Sequence, residues 1–579
     1  MNQSINREKI SGFIYKHSLP LREEIRAQKI RQNENPQVKI EATVMNCVKN
    51  KDMSWSVSLK TKSTFDLKIK DNLMVVNNDM SGIITNILSS SEFTILSLNS
   101  LPLKCATRYI FSKKCYKNFF QLRSLYQLSN TNIFQEHTAQ TKLRNILLGL
   151  EYPTSSENEI NINFKNTKLN SEQKHAVTKT INQNELCIIH GPPGTGKTTT
   201  LVEIIQQEIS RGGRVLICSA ANVAVDNLME KVIRQQSTTK DGNVLIRIGH
   251  PGKINHKLIE YSLYYLTRTT RLPQKEDLLL NSNAIFGTLT ACDYHYNSQN
   301  KTLLGHLPMN FFTLTIIDEA GQSLESNCWS IIPHTQKLIL AGDPRQLPPT
   351  IMTRNINAKK SLSISLMERL MNNISLKTSI VVLYTQYRMN SKIMEWPSRT
   401  FYQSKLIAAP KIADKLLANI EGVKPSELTQ VELVLVNTET SIEKRSKDNS
   451  LYNEIELNKI IEIIRKLTRN GVKITDIGVI SPYALQIKLL KEFTINKWNK
   501  LDVSTIDAYQ GSEKEVIILS TVRSNKKGKI GFLKDPQRMN VAITRAKKQF
   551  ILVTNADTLK KEHRWASFLQ NFNYRLKDI

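Results

Sequence analysis

The chain has 579 residues, which at roughly 100–200 residues per domain predicts three or four domains. Hydrophobic residues make up 40% of it and charged residues 23%, close to globular averages, so a core of ordinary size is possible. Lys and Arg number 80 against 51 Asp and Glu, and this net charge of +29 favours polyanionic partners, with a lysine-rich genome as the alternative explanation.

The cysteines and the apolar segments exclude several classes of protein. The seven cysteines include no C-x-x-C pair, which argues against a disulfide framework and a zinc site and indicates a reducing compartment. The N-terminus lacks the apolar core of a signal peptide, and no uninterrupted apolar run approaches the ~18 residues of a membrane helix. We therefore expect no membrane association and an intracellular, soluble protein of the nucleus, the cytoplasm or both.

The first third of the chain changes from helical to strand periodicity and back. Residues 1–36 are predicted to form an N-terminal stalk helix. From 37 to 111, short alternating segments such as Trp55–Leu59 and Phe65–Ile69 predict a small β-barrel. Helical periodicity returns over 112–165, so the barrel is predicted to lie between helices that pack as a stalk.

The remainder of the chain alternates strand and helix, which predicts an α/β fold of parallel sheets covered by helices. Two such units fit, and we place them at residues 166–352 and 353–579. A short basic helical segment at 249–283 interrupts the first unit.

A phosphate-binding loop is predicted at the start of the first unit. Gly191 to Thr198 match G-x-x-x-x-G-K-[ST] between a buried strand, Leu186–Ile189, and an amphipathic helix, Thr198–Ile209. Lys197 is expected to reach the β- and γ-phosphates of ATP, and Thr198 to bind Mg²⁺. The residues predicted to surround the nucleotide here are Gly191, Gly194, Thr195, Gly196, Lys197, Thr198 and Thr199.

Two acidic residues end an apolar strand further along this unit. The strand runs from Phe312 to Ile317 and is followed by Asp318 and Glu319. Ligands bind at the carboxyl ends of the strands in parallel sheets. Asp318 is therefore predicted to hold Mg²⁺, and Glu319 to orient or deprotonate the attacking water.

Four further motifs resemble those of superfamily 1B helicases, in the up-frameshift-like branch. They are Leu338–Pro349, Gln386–Met389, Asp507–Glu515 and Asn540–Ala546. Residues 522–533 are most similar to the group of immunoglobulin mu-binding protein 2 and the fungal polymerase-α-associated helicases. The resemblance implies two tandem RecA-like P-loop domains with the small barrel inserted on its stalk, the barrel corresponding to the family's 1B domain. The segment Cys218–Leu228 resembles the family's motif Ia. In it, Ala220 and Ala221 stand where the family usually has Pro-Ser.

The resemblance also implies roles for individual residues around ATP. Gln173 is similar to the glutamine that reads adenine, Tyr387 to the aromatic residue that stacks on it, and Glu513 to the residue at the ribose. Gln346 is similar to the γ-phosphate sensor. The resemblance implies that two arginines, Arg388 and Arg545, enter the site from the second lobe.

Small and hydroxyl-bearing residues are candidates for phosphate contacts along a nucleic-acid strand. These candidates are Asn222, Thr288, Pro482, Tyr483 and Thr505. Tyr483 either stacks on a base or packs inside the fold, and the pattern does not decide between the two. The basic run at 526–529 is either a strand-binding loop or a localisation signal.

The implied activity is ATP-dependent movement, 5′ to 3′ by resemblance, on single-stranded DNA or RNA, with unwinding of a duplex that carries a single-stranded tail. A strand-binding clamp that does not unwind and an NTPase unrelated to nucleic acid are the alternatives. The choice between DNA and RNA depends on contacts to the 2′-hydroxyl, which a sequence does not reveal. We expect a monomer, with recruitment to replication or RNA-processing machinery left open.

Overall fold

The computed structural model describes most of the chain outside residues 98–137. The described residues are 2–34, 40–49, 55–61, 72–75, 81–89, 92–97, 108–113, 125, 128, 138–155, 160–236, 244–269, 275–292, 304, 307–308, 310–446 and 450–575. The strand predicted at Phe65–Ile69 and most of the helical segment at 112–137 lie outside them. No helix within these ranges is long and apolar enough to cross a membrane.

The chain begins with a helix, Asn2–Glu34, which is followed by a closed antiparallel barrel. The barrel strands are β1 (Ile40–Lys49), β2 (Trp55–Thr61), β3 (Asn72–Val75), β4 (Ser81–Ser89), β5 (Glu92–Ser97) and β6 (Arg108–Lys113). Their order around the barrel is β1-β2-β5-β4-β3-β6. In β2, buried Val57 and Leu59 alternate with exposed Lys60, as expected when every second side chain points inward.

A seven-stranded parallel sheet forms the first lobe, in the order β13-β7-β12-β11-β8-β10-β9. Its strands are β7 (Leu186–His190), β8 (Val215–Ser219), β9 (Leu245–Ile248), β10 (Ala284–Thr288), β11 (Phe312–Asp318), β12 (Thr335–Gly342) and β13 (Ile380–Val382). The helices of this lobe are Ala139–Leu148, Ser171–Asn182, Lys197–Ser210, Asn222–Gln236, Leu263–Thr269, Lys275–Leu280, Leu289–Cys292, Glu325–Cys328, Ile356–Leu362 and Leu366–Met371. Leu186 and Ile188 belong to one core and Cys187 and Ile189 to another, so both faces of the sheet are buried.

A six-stranded parallel sheet forms the second lobe, in the order β20-β19-β21-β22-β16-β23. Its strands are β16 (Leu433–Asn437), β19 (Ile477–Ser481), β20 (Asp502–Thr505), β21 (Lys514–Ser520), β22 (Ala546–Thr554) and β23 (Tyr574–Arg575). Two short pairs lie outside it, β14 (Thr385–Gln386) with β15 (Ile407–Ala408), and β17 (Lys444–Arg445) with β18 (Leu451–Tyr452). The helices are Ser391–Phe401, Pro410–Ala413, Glu454–Arg469, Ala484–Thr494, Pro536–Ile543, Ala556–Leu559 and His563–Leu569.

The chain crosses between the sheets later than the boundary predicted at 352/353. β13 pairs with β7, and Leu366 and Leu376 are buried in the core of the first lobe, so this lobe continues through Val382. A strand of three residues is too short to be recognised from periodicity. The carboxylate of Glu172 accepts hydrogen bonds from the backbone N–H groups of Tyr384 (2.8 Å) and Thr385 (3.0 Å), which fixes the crossing point to the first lobe.

The N-terminal helix packs against the first lobe. Ile10, Ile14 and Leu21 are buried in the same core as Ile146 of the helix Ala139–Leu148. The two helices on either side of the barrel in sequence therefore share one surface of this lobe. A buried carboxylate also links this helix to the first lobe through hydrogen bonds. Glu24 accepts them from the backbone N–H groups of Met352 (2.9 Å) and Thr353 (2.7 Å).

Replacing Glu24 with alanine is expected to destabilise the protein. The substitution leaves the amides of Met352 and of buried Thr353 without their carboxylate acceptor, which should lower the free energy of unfolding by about 2–3 kcal/mol. Chemical denaturation measures the change. Glu8→Ala, at an exposed position of the same helix, is the matched control and should stay within about 0.5 kcal/mol of the wild type. Equal stability of the two variants would contradict a stabilising role for the hydrogen bonds to Glu24.

Candidate nucleotide site and strand-binding face

The loop between β7 and the helix Lys197–Ser210 is shaped for a polyphosphate. Gly194 and Gly196 have φ angles of +77° and +78°, a conformation that favours glycine. A Cβ on Gly194 would lie 2.6 Å from the Cβ of Arg388, so a side chain is also excluded by space. No side chain caps the first helical turn at Gly196, and its N–H groups are therefore suited to phosphate oxygens.

Lys197 reaches across the sheet edge to Asp318, the last residue of β11, and to Glu319, which follows it. Its Nζ contacts a carboxylate oxygen of Asp318 and lies 2.8 Å from Oε1 of Glu319. Burial alone would lower the pKa of Lys197, but the two carboxylates raise it above its usual value. Burial works against ionisation of Glu319, yet Lys197 lowers its pKa overall. The lysine is thus held charged, in the place where phosphates are predicted to bind.

Asp343, which directly follows β12, is a buried acceptor that the sequence reasoning missed. It accepts hydrogen bonds from Gln346 Nε2 (2.9 Å) and from the hydroxyl of Tyr402 (2.7 Å), and its Oδ1 lies 3.0 Å from His190 Nε2. Burial raises the pKa of Asp343, but His190 and these hydrogen bonds lower it overall. The carboxylate fixes the amide of Gln346, the predicted γ-phosphate sensor. Its position within the motif Leu338–Pro349 could have indicated from the sequence that Asp343 belongs to the site.

The two predicted arginines of the second lobe lie at this edge of the first lobe. Nη2 of Arg545 donates to Oε1 of Gln346 at 3.1 Å, although the side chain is almost fully buried. Burial, with Arg388 nearby, lowers the pKa of Arg545 to about 9, which leaves it cationic at neutral pH. Arg388 donates through Nε to Glu513 (2.5 Å) and through Nη1 to the carbonyl of Thr544 (3.1 Å).

Residues predicted to hold the adenosine lie beside the same loop. Gln173 Nε2 donates to the carbonyl of Thr195 at 3.1 Å. The backbone N–H of Tyr387 donates to the carbonyl of Gly194 at 2.8 Å, and 46% of the tyrosine is exposed. Asn170, which was not predicted, caps the helix Ser171–Asn182 and donates to the Tyr387 hydroxyl at 2.7 Å. Contacts with the first lobe therefore position both residues predicted to contact adenine.

Glu513, the predicted ribose contact, is ion-paired in this structure. It lies 2.5 Å from Arg388 Nε and 3.3 Å from Lys547 Nζ. Burial raises the pKa of Glu513, but Arg388 and Lys547 outweigh burial and lower it overall. The carboxylate is therefore already neutralised by two cations, and a contact with ribose would have to share or replace them.

The polar residues predicted to contact a strand lie at the carboxyl ends of neighbouring strands in each lobe. In the first lobe Thr288 ends β10 directly beside Ser219 of β8, and Asn222 begins the helix after β8. In the second lobe Thr505 ends β20 beside Ser481 of β19, which precedes Pro482 and Tyr483. The nucleotide residues follow β7, β11 and β12 instead, so the two predicted sites occupy different stretches of the first sheet edge.

Asn222 is held by a buried arginine that the sequence reasoning missed. Nη2 of Arg247 donates to Oδ1 of Asn222 at 2.9 Å, and its Nε donates to Asp226 at 2.7 Å. Arg247 lies on the edge strand β9 and is fully buried. The ion pair fixes the first turn of the helix that presents Asn222. Nothing in the local sequence pattern pairs these distant residues.

Tyr483 takes the packing alternative in this structure. Only 6% of the residue is exposed, and it is buried with Leu451 and Val522. Arg523 Nη1 lies 3.4 Å from its hydroxyl. A buried ring has no open face for a base, so the stacking alternative for Tyr483 does not fit this geometry.

A buried glutamate, Glu456, holds the segment that follows β21 in the second lobe. Glu456 accepts hydrogen bonds from the backbone N–H of Val522 (2.9 Å) and the hydroxyl of Ser520 (2.6 Å). Val522 has a φ of +67°, a costly conformation for a β-branched residue. The carboxyl group therefore helps to hold a strained turn directly after β21.

Titration of Glu456 should make stability depend on pH. Burial raises the pKa of Glu456 from 4.5 to about 8, although its hydrogen bonds act in the opposite direction. The folded chain then keeps a proton that the unfolded chain releases, so the free energy of unfolding should fall as the pH rises from about 4.5 to about 8. Denaturation across this range measures the slope. It should be shallower in Glu456→Gln and unchanged in Glu492→Gln, an exposed control. Parallel curves for wild type and Glu456→Gln would rule out this titration.

Comparison with known proteins covers both lobes. Two family models described as AAA domains match residues 168–277 with 266–354, and residues 362–557. The chain is 35% identical over 462 residues to mouse DNA-binding protein SMUBP-2, a match that covers 72% of this chain and 46% of that protein. It thus spans about half the length of that relative.

Two other relatives are matched over most of their length. DNA polymerase alpha-associated DNA helicase A of Saccharomyces cerevisiae is 32% identical over 586 residues, which cover 87% of this chain and 82% of that protein. An uncharacterized ATP-dependent helicase of Methanocaldococcus jannaschii is 32% identical over 501 residues, or 73% of each chain.

Proposed function

The chain belongs to the superfamily 1 helicases, in the group of SMUBP-2 and the polymerase alpha-associated helicases, and on this premise we propose that it is an ATP-driven motor that moves on single-stranded nucleic acid and unwinds duplexes. One observation carries the proposal. Arg545 of the second lobe donates to Gln346 of the first, on the sheet edge where Lys197 meets Asp318 and Glu319. Groups from both lobes can therefore act on one nucleotide.

In the proposed reaction, the residues of this cleft stabilise negative charge on the γ-phosphate. Lys197 leaves its carboxylate partners for the β- and γ-phosphates, and Glu319 orients the attacking water. Arg388 and Arg545 compensate the charge that develops on the transferred group, for which a planar guanidinium is well suited. Gln346 lies between Asp343 and Arg545, so it can transmit the presence of the γ-phosphate to both lobes.

Magnesium would be held here by the protein and the nucleotide together. Thr198 and Asp318 would supply two oxygen ligands, and no group of three His, Cys, Asp or Glu that could hold a metal ion occurs in the described part of the chain. Mg²⁺ usually takes its remaining ligands from phosphates and water in such sites. When bound, it would neutralise charge on the β- and γ-oxygens. Asp318 must release Lys197 before it can serve as a ligand.

Coupling to movement follows from the position of the strand-binding residues. Thr288 and Asn222 belong to the first lobe, while Pro482 and Thr505 belong to the second. ATP that binds the closed arrangement better shifts the population toward it, and hydrolysis removes that preference. The two groups of phosphate contacts would then approach and separate once per turnover. Family membership is the basis for proposing 5′ to 3′ polarity.

The barrel is proposed to act as the family's 1B domain. We propose the ranges 1–36 and 112–165 as its stalk and the two lobes as the RecA-like domains. Support comes from the helices Asn2–Glu34 and Ala139–Leu148, which pack in the core of the first lobe on either side of the barrel in sequence. The barrel would accordingly move with the first lobe.

Glu319→Gln tests the hydrolytic site. The amide cannot take a proton from water, so strand-stimulated ATP hydrolysis should fall by about 10²- to 10⁴-fold. Affinity for a non-hydrolysable ATP analogue should be kept or improved, because Lys197 loses one of its two competing carboxylates. Phosphate release and fluorescent-nucleotide binding measure the two effects. The control is Glu395→Gln, at an exposed helical position, which should hydrolyse ATP normally. Full turnover in Glu319→Gln would remove the assignment.

Strand-dependent assays test the proposed function itself. ATP hydrolysis should be stimulated by matched DNA and RNA oligonucleotides, and a duplex with a 5′ single-stranded tail should be opened in preference to one with a 3′ tail. Stimulated hydrolysis without strand separation at either polarity would favour an ATP-gated clamp. Hydrolysis that ignores added oligonucleotide would instead indicate an NTPase unrelated to nucleic acid.

A further inference from the structure

One large aromatic side chain is exposed on the second lobe close to the proposed strand-binding residues. Phe532 lies in a short turn, Gly531–Lys534, between β21 and the helix Pro536–Ile543, and 56% of it is exposed. Its ring centroid lies 5.8 Å from that of Tyr483, with the planes inclined by 58°. Phe532 therefore covers the buried tyrosine and presents its own ring to solvent.

The contacts of Phe532 place it between the two proposed contact segments of this lobe. Tyr483 follows β19. The guanidinium carbon of Arg538 lies over the Phe532 ring, 5.6 Å from its centroid. Arg538 forms two hydrogen bonds with Asp507, at 2.8 and 3.0 Å, and Asp507 lies two residues after Thr505 at the end of β20. Since β19 and β20 are adjacent, Phe532 belongs to the carboxyl edge that they share.

The turn that carries the ring is rigidly anchored. Ile530 and Leu533 are buried on either side of it, and the Leu533 carbonyl accepts a hydrogen bond from Trp565 Nε1 at 2.8 Å. Gly531 has a φ of +58°, and a Cβ there would lie 2.8 Å from the Tyr483 hydroxyl. A ring fixed in this way loses little conformational freedom when a ligand covers it.

Exposed lysines surround the turn in sequence. They are Lys526, Lys527, Lys529 and Lys534. Positive charge that follows a phosphate backbone, combined with an aromatic face for the bases, is the usual chemistry of single-strand binding without sequence preference. Arg538 is held over the Phe532 ring by its ion pairs with Asp507 and Asp535, and 56% of Phe532 is still exposed to solvent.

We propose that Phe532 is a stacking surface for one base of the bound single strand. It provides on the outside of the second lobe the contact that buried Tyr483 cannot make. The assignment rests on the proposed function and adds a binding residue to it. Stacking uses the face of the base and not the 2′-hydroxyl, so Phe532 should serve DNA and RNA alike.

The test compares two strands that differ only in their bases. Fluorescence anisotropy of the full chain is measured with a single-stranded oligonucleotide and with a strand of equal length in which abasic units replace every base. Phe532→Ala should weaken binding of the base-bearing strand about 10-fold and leave binding of the abasic strand unchanged. The dependence of log Kd on log salt concentration should stay the same, because no phosphate contact is lost.

Two further variants separate stacking from damage to the fold. Phe532→Trp should restore affinity for the base-bearing strand, because indole stacks as well as phenyl. Phe493→Ala is the matched control, since Phe493 is 62% exposed near the far end of the helix Ala484–Thr494, roughly 15 Å along that helix from the carboxyl edge. It should bind both strands like the wild type.

Failure of this proposal can be told apart from failure of the proposed function. Equal weakening on both strands, or no weakening on the base-bearing strand, would overturn the role of Phe532 while strand binding by the wild type stands. A wild-type chain that binds neither strand would contradict the motor function itself.

Discussion

The need to hold three buried or half-buried cations in one cleft is the constraint on which the site depends. Lys197 is neutralised by Asp318 and Glu319, Arg388 is neutralised by Glu513, and Arg545 donates to neutral acceptors, Gln346 and a backbone carbonyl. A cation left unpaired in such a cleft would cost several kcal/mol. Under the proposed function, ATP would bind by taking Lys197 and Arg388 from these carboxylates, which would hold the two cations again once the phosphates leave.

Further hydrogen bonds extend this junction beyond the three cations. Tyr402 donates to Asp343 of the first lobe and accepts from Asn540 of the second, whose amide also donates to the Arg345 carbonyl at 2.8 Å. These groups are buried and directional, so a relative displacement of the lobes breaks several bonds together. The network favours a small number of discrete arrangements of the lobes over continuous sliding, which suits a cycle with distinct nucleotide states.

Much of the fold could be predicted, as could the grouping of the proposed nucleotide residues, because parallel sheets bring the residues at their strand ends to one edge. The loop ending at Lys197 and the pair Asp318–Glu319 follow apolar strands, so local pattern was sufficient, and the comparisons confirm the family. Burial of Tyr483 could not be predicted, because it depends on a turn about fifty residues later. The role of Arg247 was missed for the same reason, since its partners lie on another element. The late crossing after β13 depends on a strand too short to show a period.

The tie between Glu172 and the crossing point at Tyr384 and Thr385 has a mechanical consequence. Arg388 follows Thr385 by three residues, so its backbone stays within about 10 Å of that anchorage however the second sheet turns. The hydrogen bond from the Tyr387 N–H to the Gly194 carbonyl restrains this segment further. Tyr387 and Arg388 therefore lie close to the axis of any rotation between the lobes and would move little. Arg545 directly precedes β22 in the body of the second sheet, so its contact with Gln346 is among those that a rotation of the lobe would make and break.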